Sequence, residues 1–217
     1  MGDLSSHFRI FVKPGAKCHN PALRPTQLAN IARTQTHVHT EGNHNIDEIG
    51  NISAGSGIWY NQDDARNTCL KIKTDINSDQ LGELVAILWA ITEEPPQNEL
   101  TIITKSTYAL DGILNKLKKW ESTGYIGVQN RDIFRSIVAA LRHRSGTTCF
   151  KKNTDNDGEA GHTAAKSLAL QGATKEAFDE PNLNIHPNFN LTGAQLVSMT
   201  QSLAYKGICE MKLPRDR

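Results

Sequence analysis

The stretch Leu100–Trp120, LTIITKSTYALDGILNKLKKW, decides the fold. It begins with a short apolar run between Pro96 and Ser106, which is typical of a strand buried on both faces. Ser106 is placed to cap a helix that follows at once. The buried face of that helix is predicted from apolar residues at helical spacing: Ala109, Leu110, Ile113, Leu114 and Leu117. Lys105 therefore lies at the carboxyl end of a central strand, where open α/β sheets place their chemistry.

Composition sets wide limits on function. With 217 residues, of which 38% are hydrophobic, the chain can bury one core. Because its net charge is only +1, any binding of nucleic acid must depend on local basic patches. The four cysteines form no C-x-x-C pair, so neither a zinc site nor a disulfide framework is predicted. The chain shows no apolar signal core and no membrane-length run, so we expect an intracellular protein of the nucleus or cytoplasm.

Apolar periodicity outlines one domain with two flanks. We predict a poorly structured arm over 1–36, an α/β domain over 37–175 and a tail over 176–217. The predicted strands are His37–Thr40, Ser53–Tyr60, Cys69–Thr74, Leu100–Ile103 and Thr147–Lys151. The first three should form an antiparallel meander, although Gly55 and Gly57 weaken the second. Besides the helix after Ser106, further helices are predicted after caps at Ser78 and Asn130 and around Ala164–Gly172.

Two amphipathic segments are predicted to form further helical surfaces. The tail pattern from Leu191 to Tyr205 predicts a helix that docks on the domain or on a protein partner. The helix after Asn130 carries four arginines, which we interpret as its exposed face: Arg131, Arg135, Arg142 and Arg144.

Five short motifs appear in order along these elements. They are Thr40-Glu41-Gly42, Ala54–Trp59, Ser78–Leu84, Thr104-Lys105-Ser106 and Ala165–Ala169. Together they resemble the type 1 ribonuclease H family, especially the versions in fungal retroelement polymerases, over His37–Ala173. The resemblance implies a ribonuclease H-like α/β fold: a mixed five-stranded sheet, an antiparallel meander plus two parallel strands, flanked by helices.

The resemblance also implies a site of four carboxylates that hold two divalent metals for cleavage of the RNA strand. The matching positions here are Glu41, Glu83, Lys105 and Lys166. Each lysine removes an oxygen ligand and repels a cation, and Asn156 stands where the family has a histidine. We therefore expect impaired or lost cleavage and no cofactor, with Mg or Mn held weakly by the two glutamates only if activity survives. Two ammonium groups would then replace the two metals and pair with the glutamates.

Other residues suggest the partner. Lys116, Lys118, Lys119 and Trp120 resemble the basic handle with which family members grip the backbone of an RNA/DNA hybrid. Asn43, Asn45 and Gln80 lie near positions where the family reads sugar hydroxyls. The expected partner is an RNA/DNA hybrid or structured RNA.

Three alternatives stay open. The chain could be an active endonuclease that uses Glu41, Glu83 and a loop carboxylate, for which the candidates are Asp155, Asp157 and Glu159. It could instead be a non-catalytic interaction scaffold that works through Leu191–Tyr205. His37, His39 and Glu41 also alternate along one strand and present a possible zinc or manganese site.

Overall fold

The computed structural model describes residues 5, 7–14, 25, 33–74, 79–154 and 159–212. Its strands are β1 (Arg9–Ile10), β2 (Gln35–Ile46), β3 (Ile52–Trp59), β4 (Thr68–Lys73), β5 (Glu99–Thr104), β6 (Thr148–Lys152) and β7 (Ala194–Gln195). Its α-helices are α1 (Gln80–Glu93), α2 (Thr107–Leu110), α3 (Leu117–Ser122), α4 (Arg131–His143), α5 (Glu159–Thr174) and α6 (Gln201–Lys212). Between α2 and α3 lies a π-helical segment, Asp111–Lys116.

The main sheet has five strands in the order β4-β3-β2-β5-β6. The pairs β2/β3 and β3/β4 are antiparallel, whereas β2/β5 and β5/β6 are parallel. The predicted mixed sheet is confirmed. Thr40 of β2 lies opposite Thr104 of β5, so the two central strands are in register where β5 ends.

Helices cover both faces of the sheet at β2 and β3, whereas β5 alternates between buried and half-buried residues and is not fully buried on both faces as predicted. Helix α1 packs on β2 and β3 on one face, and α5 packs on β2, β3 and β4 on the other. Leu84, Val85 and Ile87 of α1 are 0% exposed, as is Ile102 of β5. A core of this kind gains about 25 cal/mol for each Å² of apolar surface removed from water.

Strand glycines allow the two helices to approach closely. A Cβ at position 57 would lie 2.0 Å from the carbonyl oxygen of Ala165 on α5. A Cβ at position 42 would lie 2.4 Å from the carbonyl oxygen of Asp79 and 2.5 Å from the amide nitrogen of Glu83. Glycine therefore occurs in β3 because helix backbone occupies the space of a side chain, which offsets its poor strand propensity.

The helical stretch after β5 is less regular than predicted. Ser106 caps α2 as expected, because its hydroxyl accepts a hydrogen bond from the Ala109 N–H at 3.2 Å. The following π-helical segment makes i to i+5 hydrogen bonds, which rotates the later residues around the axis. Leu114, which α-helical spacing assigns to the buried face, is consequently 59% exposed.

The caps predicted for the other helices differ in the structure. Ser78 lies outside the described residues, and α1 follows Asp79, which makes no side-chain capping bond in the described part. Asn130 does precede α4, but with a φ of 53° and without a described side-chain bond to the helix. Its left-handed conformation is one that asparagine tolerates better than most residues.

The two flanking segments pair with each other. Strand β1 lies antiparallel to β7, with Arg9 opposite Gln195. Arg9 is buried and donates to the carbonyl oxygens of Thr192 at 3.0 Å and Gly193 at 2.7 Å. Part of the predicted unstructured arm is therefore a strand, and Gln35 and Thr36, also assigned to the arm, belong to β2.

The tail helix begins later than predicted. Leu191–Tyr205 contains β7 and a 3-10 turn, Leu196–Ser198, and only Gln201–Lys212 is α-helical. Leu191 and Ala194 are buried instead of lying along one helical stripe, and Gly193 has a φ of +75° that suits a bend. The protein partner predicted through this helix stays a prediction.

The arginines of the α4 region are not an exposed face, as the sequence pattern suggested. Arg144 is 1% exposed and donates to the carbonyl oxygens of Glu94 and Asn98, both at 2.8 Å. Arg142 forms a two-bond pair with the Glu121 carboxylate at 2.6 and 3.0 Å. These guanidinium groups join α4 to neighbouring elements, because their fork of donors suits carbonyl and carboxylate oxygens.

Candidate active site

Register places two of the predicted site residues side by side. Since Thr40 and Thr104 are opposite each other, Glu41 and Lys105 follow at adjacent positions where β5 ends and β2 continues. Glu83 reaches the same edge from α1, because Gly42 lies against its backbone and side chain.

Helix α5 carries Lys166, the fourth predicted site residue, and also His162. His162 Nδ1 lies 2.8 Å from Glu41 Oε2. Lys166 is four residues further along α5, on the same face of the helix, and is exposed. The ammonium charges of Lys105 and Lys166 both act on the Glu41 carboxyl, so the structure brings Glu41, Glu83, Lys105 and Lys166 together at one end of the sheet.

Of the two glutamates in this group, Glu41 has the more strongly shifted pKa. Its side chain is 13% exposed, and burial raises its pKa to about 7, with a further rise from the neighbouring Glu83. The N–H of Gly42 and the charges of Lys105 and Lys166 oppose this rise. Near neutral pH this carboxyl is therefore a mixture of the protonated and ionised forms.

Glu83 is held by a serine that the sequence analysis assigned only to capping. The Ser106 hydroxyl donates to Glu83 Oε2 while accepting from the Ala109 N–H. Burial raises the pKa of Glu83, and the hydrogen bond from Ser106 opposes that rise. One serine thus links the helix start after β5 to the carboxylate of α1.

Two histidines, His39 and His162, lie close to Glu41. His39 packs its ring against position 161 of α5, where a Cβ would lie 2.5 Å from Nε2. Burial, followed by the charge of His162, lowers the pKa of His39. His162 itself was missed, although its place four residues before Lys166 would have put it on the same helix face.

The donor set does not fit the two magnesium ions that the resemblance implies. Magnesium requires oxygen ligands, and two of the four positions carry ammonium groups without a lone pair. In the described part of the chain, no cluster of three His, Cys, Asp or Glu side chains is arranged to hold a metal ion. The His37, His39 and Glu41 alternative therefore gains no support.

The candidate residues between β6 and α5 are not among the described side chains. Asp155, Asn156 and Asp157 lie outside the described residues. Glu159 is the first residue of α5, and its side chain is likewise not described.

The predicted nucleic-acid contacts occupy two regions. Asn43 and Asn45 lie on β2, half-buried, and Gln80 is the first residue of α1. The lysines of the handle are exposed around α3: Lys116, Lys118 and Lys119. Lys116 is paired with Asp111 at 2.5 Å.

Trp120 has a packing role. Its ring lies edge-on to Phe134, with 4.8 Å between ring centroids, and is tilted against Tyr125 at 6.3 Å. The indole therefore fixes the position of α3 on the domain, which in turn fixes the neighbouring lysines.

Removal of the Glu41 charge gives a pH-dependent prediction. The native state binds the Glu41 proton more tightly than the unfolded chain does, so stability falls as pH rises from the ordinary value of 4.5 through about 7. We expect Glu41→Gln to raise the free energy of unfolding by roughly 2 kcal/mol at pH 8 and by little at pH 4. Urea unfolding at the two pH values measures this.

The matched control is Glu48→Gln, which neutralises an exposed carboxylate. That change should alter stability by less than about 0.5 kcal/mol at either pH. A Glu41→Gln protein that is less stable than the natural one at pH 8 would contradict the burial argument.

Comparisons with known proteins agree with the fold. The RNase H family model matches residues 33–173. Ribonuclease H of Schizosaccharomyces pombe is 26% identical over 127 residues, which are 56% of this chain and 47% of the relative. The chain thus spans about half the length of that curated relative.

Solved structures show the same fold at low identity. LC9-RNase H1, a type 1 RNase H with the type 2 active-site motif, has a TM-score of 0.53 and 15% identity, over 82% of this chain and 87% of that one. The solution structure of the PFV (prototype foamy virus) RNase H domain has a TM-score of 0.50 and 18% identity, over 65% of this chain and 96% of that one. Because the family model covers well over half of its residues, this chain belongs to the RNase H family.

Proposed function

We propose that this chain is an RNase H family domain that binds RNA/DNA hybrids or structured RNA and cleaves the RNA strand poorly or not at all. The observation that carries the proposal is the position of Lys105, beside Glu41 at the end of β5. An ammonium group there supplies donors only, so it replaces a metal ligand with a positive charge.

The charge balance supports a site that works without metal. Two lysines and two glutamates give a formal sum of zero, the same sum that four carboxylates and two divalent ions would give. The charges of Lys105 and Lys166 act on the Glu41 carboxyl and oppose the rise of its pKa. A divalent ion entering this pocket would meet two like charges, which are costly in a partly desolvated site.

Nucleic-acid binding is supported by the exposed lysines near α3. Lys118 and Lys119 line an open cavity of about 580 Å³ together with Asn115 and Gln195. Lysine contacts to phosphates provide affinity that is independent of base sequence. An origin in a retroelement is part of the proposal and rests on the motif resemblance.

The test is binding and cleavage of a labelled RNA/DNA hybrid by the purified chain in magnesium and then in manganese. We expect a shifted hybrid and no cleavage products. Cleavage by the natural chain that disappears in Glu83→Gln would instead favour the active endonuclease that uses a loop carboxylate.

A further inference from the structure

We propose that Lys105 and Lys166 form a metal-independent binding position for a backbone phosphate of the nucleic acid. This inference rests on the proposed function and assigns a ligand to the same pocket. The ligand class is a phosphodiester, and the two ammonium groups bind it directly instead of through bridging metal ions.

Both lysines project from backbone that the fold holds firmly. Beside Lys105, the Thr104 hydroxyl accepts from the Ser106 N–H at 3.1 Å, and the Thr104 carbonyl accepts from the Asn153 N–H at 2.9 Å. Lys166 follows Ala165, whose carbonyl oxygen fills the space beside Gly57. The two side chains therefore leave rigid elements on either side of Glu41, whereas their long stems can adjust to a ligand.

Each glutamate already contacts another side chain. Glu83 already accepts a hydrogen bond from Ser106, and Glu41 lies 2.8 Å from His162. Each ammonium group has three N–H donors, so it can serve a carboxylate and a phosphate oxygen at once. Lys166 is exposed and Lys105 is half-buried, so one donor group is open to a ligand and the other lies deeper in the pocket.

One segment of the chain also connects Lys105 to the lysines of the handle. Lys105 lies two residues before the helical stretch Thr107–Ser122 that carries the exposed lysines of the handle. A backbone that contacts Lys118 and Lys119 can therefore continue toward the end of β5 along one side of the domain. The pocket and the handle would then contribute separate phosphate contacts to one nucleic acid.

The experiment measures hybrid binding by fluorescence anisotropy across a series of salt concentrations. A short labelled RNA/DNA hybrid is titrated with the full chain in EDTA and in magnesium at matched ionic strength. We expect equal affinity in the two conditions. The double variant Lys105→Gln/Lys166→Gln should bind on the order of tenfold more weakly and lower the salt-dependence slope by about 0.9 to 1.8.

The matched control is Lys105→Arg/Lys166→Arg, which retains both charges and should retain the affinity and the slope. Urea unfolding of both double variants verifies that each is folded. Binding that requires magnesium would overturn the inference, as would a Gln variant that is folded and binds with unchanged affinity and slope.

A handle variant separates the inference from the proposed function. Lys118→Gln/Lys119→Gln should weaken binding even if the pocket plays no part. If this variant weakens binding while Lys105→Gln/Lys166→Gln does not, the pocket inference fails and the proposed function stands. If the natural chain binds no hybrid and no structured RNA, both fail together.

Discussion

Replacement of Lys105 and Lys166 by aspartate, together with Glu41→Asp, is expected to give this chain the ability to cleave an RNA/DNA hybrid in magnesium. The substitutions restore oxygen ligands at the two positions that now carry ammonium groups, and Glu83 is already present. Metal-ion stabilisation supplies several kcal/mol, so we expect at least about a thousandfold increase in cleavage over the natural chain. A gel assay of a labelled hybrid measures the products.

Two further variants make this result specific. Adding Glu83→Gln to the triple variant should abolish the new activity, because it removes one of the four ligands. Glu41→Asp alone should stay inactive, since both lysines are retained. A triple variant that is folded and binds the hybrid but does not cleave it would show that the lysines are not what disables the site.

Substitution of Arg144 by methionine should produce a large loss of stability. Arg144 is 1% exposed and donates to the carbonyl oxygens of Ile91, Glu94 and Asn98. Methionine fills part of the volume but leaves those buried acceptors without their donor, at about 1–3 kcal/mol for each unsatisfied group. We expect the free energy of unfolding to fall by about 3–5 kcal/mol in urea.

The matched control lies two residues earlier, in the last turn of α4. Arg142 pairs with Glu121, and the two side chains are 22% and 16% exposed. Because water still reaches this pair, Arg142→Met should cost only about 1 kcal/mol. An Arg144→Met protein no less stable than Arg142→Met would mean that the carbonyl contacts do not stabilise the fold as argued.

The local pattern of residue types was sufficient to predict the five strands of the main sheet and most of the helices. The apolar run of β5 and the serine that caps α2 lie in one short stretch, so their signals do not depend on distant residues. The π-helical segment was not predictable in this way, because its residues have the spacing of an ordinary helix and the change in hydrogen bonding has no separate signature. Leu114 was assigned to the wrong face for that reason.

Burial of the arginines depends on partners far away in the chain. The carbonyl oxygens that bind Arg144 belong to the end of α1 and the loop before β5. In the sequence, Arg144 continues the arginines of α4 and looks like part of a charged surface. In the same way, the arm containing Arg9 showed no periodicity, and its strand exists because the distant tail supplies Ala194 and Gln195 as a partner.

The candidate site was predicted in position but not in detail. Motif order placed Glu41, Glu83 and Lys105 at the same end of the sheet, and the register of β2 with β5 gives the physical basis for it. The contact between His162 and Glu41 and the hydrogen bond from Ser106 to Glu83 appear only in the folded chain. The raised pKa of Glu41 likewise depends on burial, which a local sequence does not reveal.

The absence of a metal site is tested most directly by a calorimetric titration of the natural chain with magnesium, beside the same titration of the Glu41→Asp/Lys105→Asp/Lys166→Asp variant. We predict no saturable magnesium binding by the natural chain, because Lys105 and Lys166 supply positive charge and no lone pair, and stoichiometric binding by the variant. Tight, stoichiometric magnesium binding by the natural chain, lost in Glu83→Gln, would contradict this prediction.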